Sequence, residues 1–436
     1  MVRGARQVGK STLVHMLAKT SLFDHLLEID FELEPDAASL FTSKDPHITV
    51  GLLEARYGVA LRPGRTLLFL DEIQAAPQIL ASLRYFYERM PGLHVIAAGS
   101  LLDFALASRE LSMPVGRIEY LHLGPMSFEE FLLALDKAHL RKFLQQFELN
   151  QPCPKAMHSE LMRIVRQYLI VGGMPASVGA FVAGDHLEAE AERQSILSTY
   201  RDDFAKYASQ VNQVRLEKLF VKVPRLVGSK FMYSRVDREE RARDLGRALS
   251  LLCQARVVHR VHHTAANGIP LGSEVNDKVF KILFLDVGLM ARASGLSMAD
   301  LLSSDDVTLI NSGAVCEQYV GQHLLYAGQA YEEPSAFCWI RQKRSASAEL
   351  DYVIAVGETI IPVEVKAGKT GSLKSLQVFL AQKRYPLGLR FNSDFPSLVD
   401  AEAKVRALPN WPFRLLSLPF YLVGQTRRLV RLAAGR

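Results

Sequence analysis

One run near the start, "GARQVGKST" from Gly4 to Thr12, constrains this chain more than any other stretch. A glycine, four residues and then Gly-Lys-Ser form a loop whose backbone can wrap a polyphosphate with successive N–H groups pointing inward. Gly4, Gln7, Val8, Gly9, Lys10, Ser11 and Thr12 are therefore the candidate phosphate-binding residues. Lys10 would place a point charge at the β/γ-phosphates and Ser11 would ligate magnesium, so ATP and Mg2+ are the expected cofactors. Apolar residues at Leu13, Met16 and Leu17 give the helical spacing that should follow such a loop. The alternative is a glycine-containing turn that matches by chance. Such a loop normally follows a buried strand, yet only Met1, Val2 and Arg3 precede Gly4, too few for a proper strand.

Two further runs complete the pattern. "TLLFLDEIQ" (Thr66 to Gln74) is an apolar run ending in two acids, as expected of a strand buried on both faces of a parallel sheet. Asp71 is the candidate second magnesium ligand and Glu72 the group that polarises the attacking water; otherwise the pair simply caps the next helix. "LHVIAAGS" (Leu93 to Ser100) is again strand-like, and Ser100 at its end is the candidate that orients the water. This order fits a sheet in which an extra strand separates the loop-bearing strand from the acid-bearing one, with "LLEIDFE" (Leu26 to Glu32) as another member. Arg117, after Gly116, is either a surface arginine or one that neutralises transition-state charge in its own or a neighbouring subunit.

At 436 residues the chain calls for two or three domains, and 49% hydrophobic with 22% charged residues is a globular balance. A net charge of +6 permits nucleic-acid binding without requiring it. Seven Lys/Arg and no acid lie between residue 403 and the end, either a solvated tail or a phosphate-contacting one. Four widely spaced cysteines suit a reducing cytosol, and a cytoplasmic protein is the expectation. "QYLIVGGMPASVGAFVAG" (Gln167 to Gly184) is uncharged but carries four glycines and Pro175, so it reads as a buried turn between helices and no membrane span is expected.

Beyond Phe131 the pattern is helical, and Asp202 and Asp203 in "STYRDDFAKYASQ" read as helix-surface charges. From about Val214 to Ala291 the order helix, helix, strands fits a winged helix. Its Arg241, Arg243 and Arg247 either contact phosphates or line a solvated face. "LDYVIAVGETIIPVEVKAG" reads as two strands joined at Gly357-Glu358. Glu364 and Lys366, two apart, project from one face of the second strand. Asp351 with Glu364 and Lys366 looks like the core of a restriction-endonuclease-like fold, with Glu317 as a fourth polar member. Asp351 and Glu364 would hold magnesium there and Lys366 would position a water. An E-x-K pair at a strand edge is otherwise just a solvated face.

In "GARQVGKSTL", "LFLDEIQ", "VIAAGS", "PVGRIEYLHLGPMSFEEFL", "YLIVGGMPASV" and "KILFLDVGLM" the chain resembles, over almost its whole length, AAA+-type ATPases of bacteria and archaea that carry a C-terminal domain of unknown function. The resemblance implies an α/β protein: a P-loop NTPase (AAA+-like) parallel sheet over residues 1–135, a helical region over 136–213, a winged-helix-like region over 214–300 and a restriction-endonuclease-like α/β domain over 301–436. Family members normally have about a strand and a helix before the loop, so the expectation is that the true start lies upstream of Met1. If it does not, the central strand position should be empty or replaced. The expected function is a magnesium-dependent ATPase coupled to a C-terminal domain that binds DNA or a protein partner, with oligomer formation open. The alternatives are a slow regulatory nucleotide switch acting on a protein partner, and a DNA-binding module with a structural ATP site.

Overall fold

The phosphate loop follows a short strand, Val2–Arg3. The computed structural model describes residues 1–100, 116–207, 212–297, 312–341, 348–368, 371–406 and 408–435. In its first unit, Met1–Gly124 with Gln254–Val257 and Gln329–Glu333, the strands are β1 (Val2–Arg3), β2 (His25–Asp30), β3 (Thr66–Asp71), β4 (His94–Ala97) and β5 (Leu121–His122). Strand β1 pairs in parallel with β5, and a parallel bridge from Val2 to Ala98 sets it beside the end of β4. Strands β2, β3 and β4 are parallel neighbours in that order. The spatial order is thus β2-β3-β4-β1-β5, with β4 between the loop-bearing and the acid-bearing strands. Val2 and Arg3 thus lie beside β4, in the position of the loop-bearing strand.

All six residues of β3 are buried, and the pleat explains why both faces are apolar. Leu68 and Leu70 join Ile29, Leu53 and Phe86 on one side, while Leu67 and Phe69 join Val2, Val14 and Ala98 on the other. Val14 belongs to the helix Lys10–Ala18, so the helix that follows the phosphate loop packs on the second face.

The second unit comprises Pro125–Cys253, Val258–Gly328 and Pro334–Arg436. Its helix Phe128–Ala134 opens with a capping box in which Ser127 and Glu130 satisfy each other's backbone N–H groups. Helix Lys155–Val171 stops at Gly172 and helix Pro175–Val182 follows, so the uncharged stretch is a turn between helices. Among the described residues no helix is long and apolar enough to cross a membrane. Helix His186–Tyr207 carries Asp202 exposed but Asp203 buried, which corrects the surface reading of Asp203.

Helices Gln213–Lys222 and Ala242–Gln254 precede β6 (Val258–Thr264) and β7 (Val275–Phe284), an antiparallel pair. Arg241, Arg243 and Arg247 are exposed, while Leu245, Ala248, Leu249 and Leu252 turn inward. The remaining strands are β8 (Ala336–Arg341), β9 (Ala348–Val356), β10 (Thr359–Val365), β11 (Leu387–Asn392), β12 (Ser397–Ala403) and β13 (Trp411–Pro419). All eight form one sheet, ordered β12-β13-β11-β10-β9-β8-β6-β7. The boundary expected between residues 300 and 301 runs through this sheet, because β6 pairs in parallel with β8 (Val261 opposite Ala336).

Candidate nucleotide site and acidic centre

The phosphate loop is shaped by close contact and by two left-handed residues. A Cβ on Gly4 would lie 2.4 Å from the Leu123 carbonyl oxygen, so only glycine fits that approach. Gln7 and Gly9 have φ of 63° and 95°, turning the chain into the helix that begins at Lys10. The Lys10 ammonium is buried inside the loop and donates to the carbonyls of Ala5 (2.9 Å) and Gly4 (3.2 Å). Burial pushes it down to about 8, against the opposing pull of Glu72 and Asp71.

Ser11 and Asp71, sixty residues apart in sequence, meet at the loop: the Ser11 hydroxyl donates to Asp71 Oδ2 at 2.5 Å. Burial raises the Asp71 carboxyl, while the bonds from Ser11 and the Glu72 N–H oppose that shift. A hydroxyl and a carboxylate converging beside the loop are the oxygen donors that magnesium prefers, so this pair fits the ion. Glu72 takes a left-handed backbone, φ 47°. Its Oε2 accepts from the Ser100 N–H and hydroxyl, both at 3.2 Å, and from Gln74 Nε2 at 2.5 Å. The sequence reading missed Gln74, although it lies two residues beyond Glu72 in the quoted run.

The second unit gathers Glu317, Glu349, Asp351 and Glu364 with two lysines. Lys281 Nζ, on β7, lies 3.0 Å from Glu317 Oε2, 3.0 Å from Glu349 Oε1 and 3.1 Å from Asp351 Oδ1. Asp351 Oδ2 accepts the Val365 N–H at 2.8 Å, and Glu364 Oε1 accepts from Lys366 at 2.6 Å. Glu364 Oε2 is buried without a hydrogen-bond partner among the described residues. Burial works against the Lys281 ammonium, but Asp351, Glu317 and Glu349 hold it well above the ordinary lysine value. Burial and then the charge of Asp351 push Glu317 up to about 8 and Glu364 up to about 7. Burial disfavours the charged form of both, and the excess of carboxylates over ammonium groups among the described residues adds to it. Neither Lys281 nor Glu349 was foreseen from the sequence; a lone lysine inside the apolar run "VFKILF" was the available signal. Among the described residues no group of three or more His, Cys, Asp or Glu is arranged to hold a metal ion.

Comparison with known proteins now separates the regions. Residues 1–132 match the family described as "AAA domain". That match supports an AAA-type ATPase. Residues 162–300 and 312–394 match two families described as domains of unknown function, DUF8612 and DUF4143. No curated protein matches the chain. A solved structure, "Crystal structure of protein VC1899 from Vibrio cholerae", is 10% identical and spans 100% of this chain and 97% of its own, but its TM-score of 0.19 carries no argument.

Within the region that matches the AAA family, Arg117 is engaged by its neighbours. Its Nε lies 3.1 Å from Glu88 Oε1 and its guanidinium sits over the Tyr87 ring. The lowered Lys10 value has a measurable consequence. A polyphosphate bound at this loop would restore the ammonium's preference for its proton, so binding near pH 8 to 9 should take up a proton and weaken as pH rises further. Calorimetric titration of ATP in buffers of different ionisation enthalpy should show this uptake, and Lys10→Ala should abolish it. Equal uptake in both proteins would remove Lys10 as its source.

Proposed function

We propose that the protein is a magnesium-dependent ATPase in which nucleotide turnover acts on a DNA- or protein-binding C-terminal part. The observation that carries the reading is the convergence of Ser11 and Asp71 beside the buried Lys10 ammonium, with Glu72 held by Ser100. Lys10 would meet the β/γ-phosphates, and the inward-facing loop from Gly4 to Thr12 would bind the remaining phosphate oxygens. Ser11 and Asp71 would hold magnesium, which when bound neutralises charge on the β- and γ-phosphates. Glu72 would accept the proton of the attacking water, and Ser100 would orient both.

Lys10→Ala should lower ATP affinity by about 10- to 100-fold, the value of a charge-assisted hydrogen bond. A binding isotherm in which Lys10→Ala matches the unmutated protein would overturn the site assignment. The exposed Arg243 and Arg247, one turn apart on helix Ala242–Gln254, and the exposed Arg241 just before it support a nucleic-acid partner, since exposed arginines can contact phosphates. Turnover measured with and without double-stranded DNA tests that part.

Arg117 is proposed to act on a neighbouring subunit's nucleotide, because in its own chain it pairs with Glu88. Arg117→Ala should then bind ATP normally and turn over slowly. Mixing it with Lys10→Ala protein should restore some activity. A monomeric mass with ATP and no rescue would end the in-trans role.

A further inference from the structure

The resemblance to a restriction-endonuclease-like domain implies magnesium on Asp351 and Glu364, and the side chains present do not fit that ion. Of the four oxygens those two carboxylates offer, Asp351 Oδ1 is taken by Lys281, Asp351 Oδ2 by the Val365 N–H and Glu364 Oε1 by Lys366. Among the described residues only Glu364 Oε2 is left without a partner. Magnesium keeps several waters but still needs one or two carboxylates free to face it, and three of these four oxygens already accept from N–H donors. It would also have to settle beside an ammonium already seated among the same carboxylates.

We infer that Lys281 is the resident cation of this centre, closing the acidic cluster in the position a divalent metal ion would otherwise take. An ammonium has three N–H donors, and Lys281 has three carboxylate oxygens within 3.1 Å, from Glu317, Glu349 and Asp351. Its side chain is only 4% exposed, so it is not a surface lysine visiting the cluster. Its backbone is pinned in β7, with Lys281 opposite Val261 of β6 and buried Phe280 and Ile282 on either side. From there the side chain reaches over β6 and β8 to Asp351 on β9, and joins the helix Ser312–Leu325 through Glu317. The centre is thereby a charged cross-link between three elements, and the domain around it serves binding rather than metal-assisted strand cleavage. This does not depend on the nucleotide reading, since every residue involved lies in the second unit.

The test is a manganese titration of the full-length, nucleotide-free protein followed by electron paramagnetic resonance. The unmutated protein and Glu364→Gln should give superimposable isotherms, because no ion sits at this centre. Lys281→Met should gain a manganese site at least about tenfold tighter than any in the unmutated protein, since four carboxylates then face a single lysine. Adding Asp351→Asn to Lys281→Met should remove that site again. A manganese site in the unmutated protein that Glu364→Gln or Asp351→Asn abolishes would overturn the inference. So would a folded Lys281→Met protein that gains no site. If Lys281→Met does not fold, the unmutated and Glu364→Gln pair decides alone.

Discussion

Replacing Glu72 by glutamine should leave ATP binding unchanged and lower hydrolysis by about 10²- to 10⁴-fold, the usual value of a positioned general base. The side chain keeps its shape and can still accept from Ser100 and Gln74, so the loop and the Ser11–Asp71 pair are undisturbed. What would disappear, on the proposed role of Glu72, is the capacity to take the proton of the attacking water. Isothermal titration and a phosphate-release assay separate the two effects. Equal turnover in Glu72→Gln and the unmutated protein would remove Glu72 from the mechanism.

The second large effect concerns folding. Asp286 is fully buried and accepts from the Gly173 N–H at 2.7 Å and the Leu289 N–H at 3.0 Å, with Gln322 Nε2 at 3.3 Å. It therefore ties the turn after helix Lys155–Val171 to the start of helix Val287–Ala293. Gly172 in that turn has φ 77°, and a Cβ there would fall 2.0 Å from Asp286 Oδ1. Asp286→Ala leaves two buried N–H groups without acceptors, at about 1–3 kcal/mol each, so a loss of about 2–6 kcal/mol is expected. Asp286→Asn, which keeps one acceptor oxygen, should cost about half as much. Both tryptophans, Trp339 and Trp411, lie in the same unit as Asp286, so urea unfolding followed by their fluorescence reads this unit directly. A change below about 1 kcal/mol for Asp286→Ala would show that water replaces the carboxylate without penalty.

The nucleotide half is legible in sequence because each part is a local run. An apolar stretch long enough for a strand ends in the polar residue that matters, as at Asp71 and Ser100, and parallel packing brings those ends together. Strand β1 escaped that logic, because two residues carry too little pattern to register as a strand. Asp203 escaped it because a helix position is polar in sequence whichever way its side chain turns. The acidic centre shows the same limit at longer range. Glu317, Asp351, Glu364 and Lys366 fall within fifty positions of one another, whereas Lys281 arrives from a strand that looked like part of another domain. Nothing local in "VFKILF" says which carboxylates its lysine will meet. That is decided by β6 lying alongside β8, a pairing between residues more than seventy positions apart.

That shared sheet has a consequence for how the chain can be divided or inherited. The two unknown-function matches end at residue 300 and begin at 312, yet β6 and β7 fall in the first while β8, β9, β10 and β11 include strands of the second. A fragment beginning at 312 would leave β8 with an open row of N–H and C=O groups where β6 belongs, an invitation to pair with another molecule. The same cut would strand Glu317, Glu349 and Asp351 without their ammonium. Such a fragment should self-associate, and mixing it with a separate piece carrying β6 and β7 should recover a well-behaved complex. The unit of sequence kinship and the unit of folding are different here, and only the larger one can be transplanted whole.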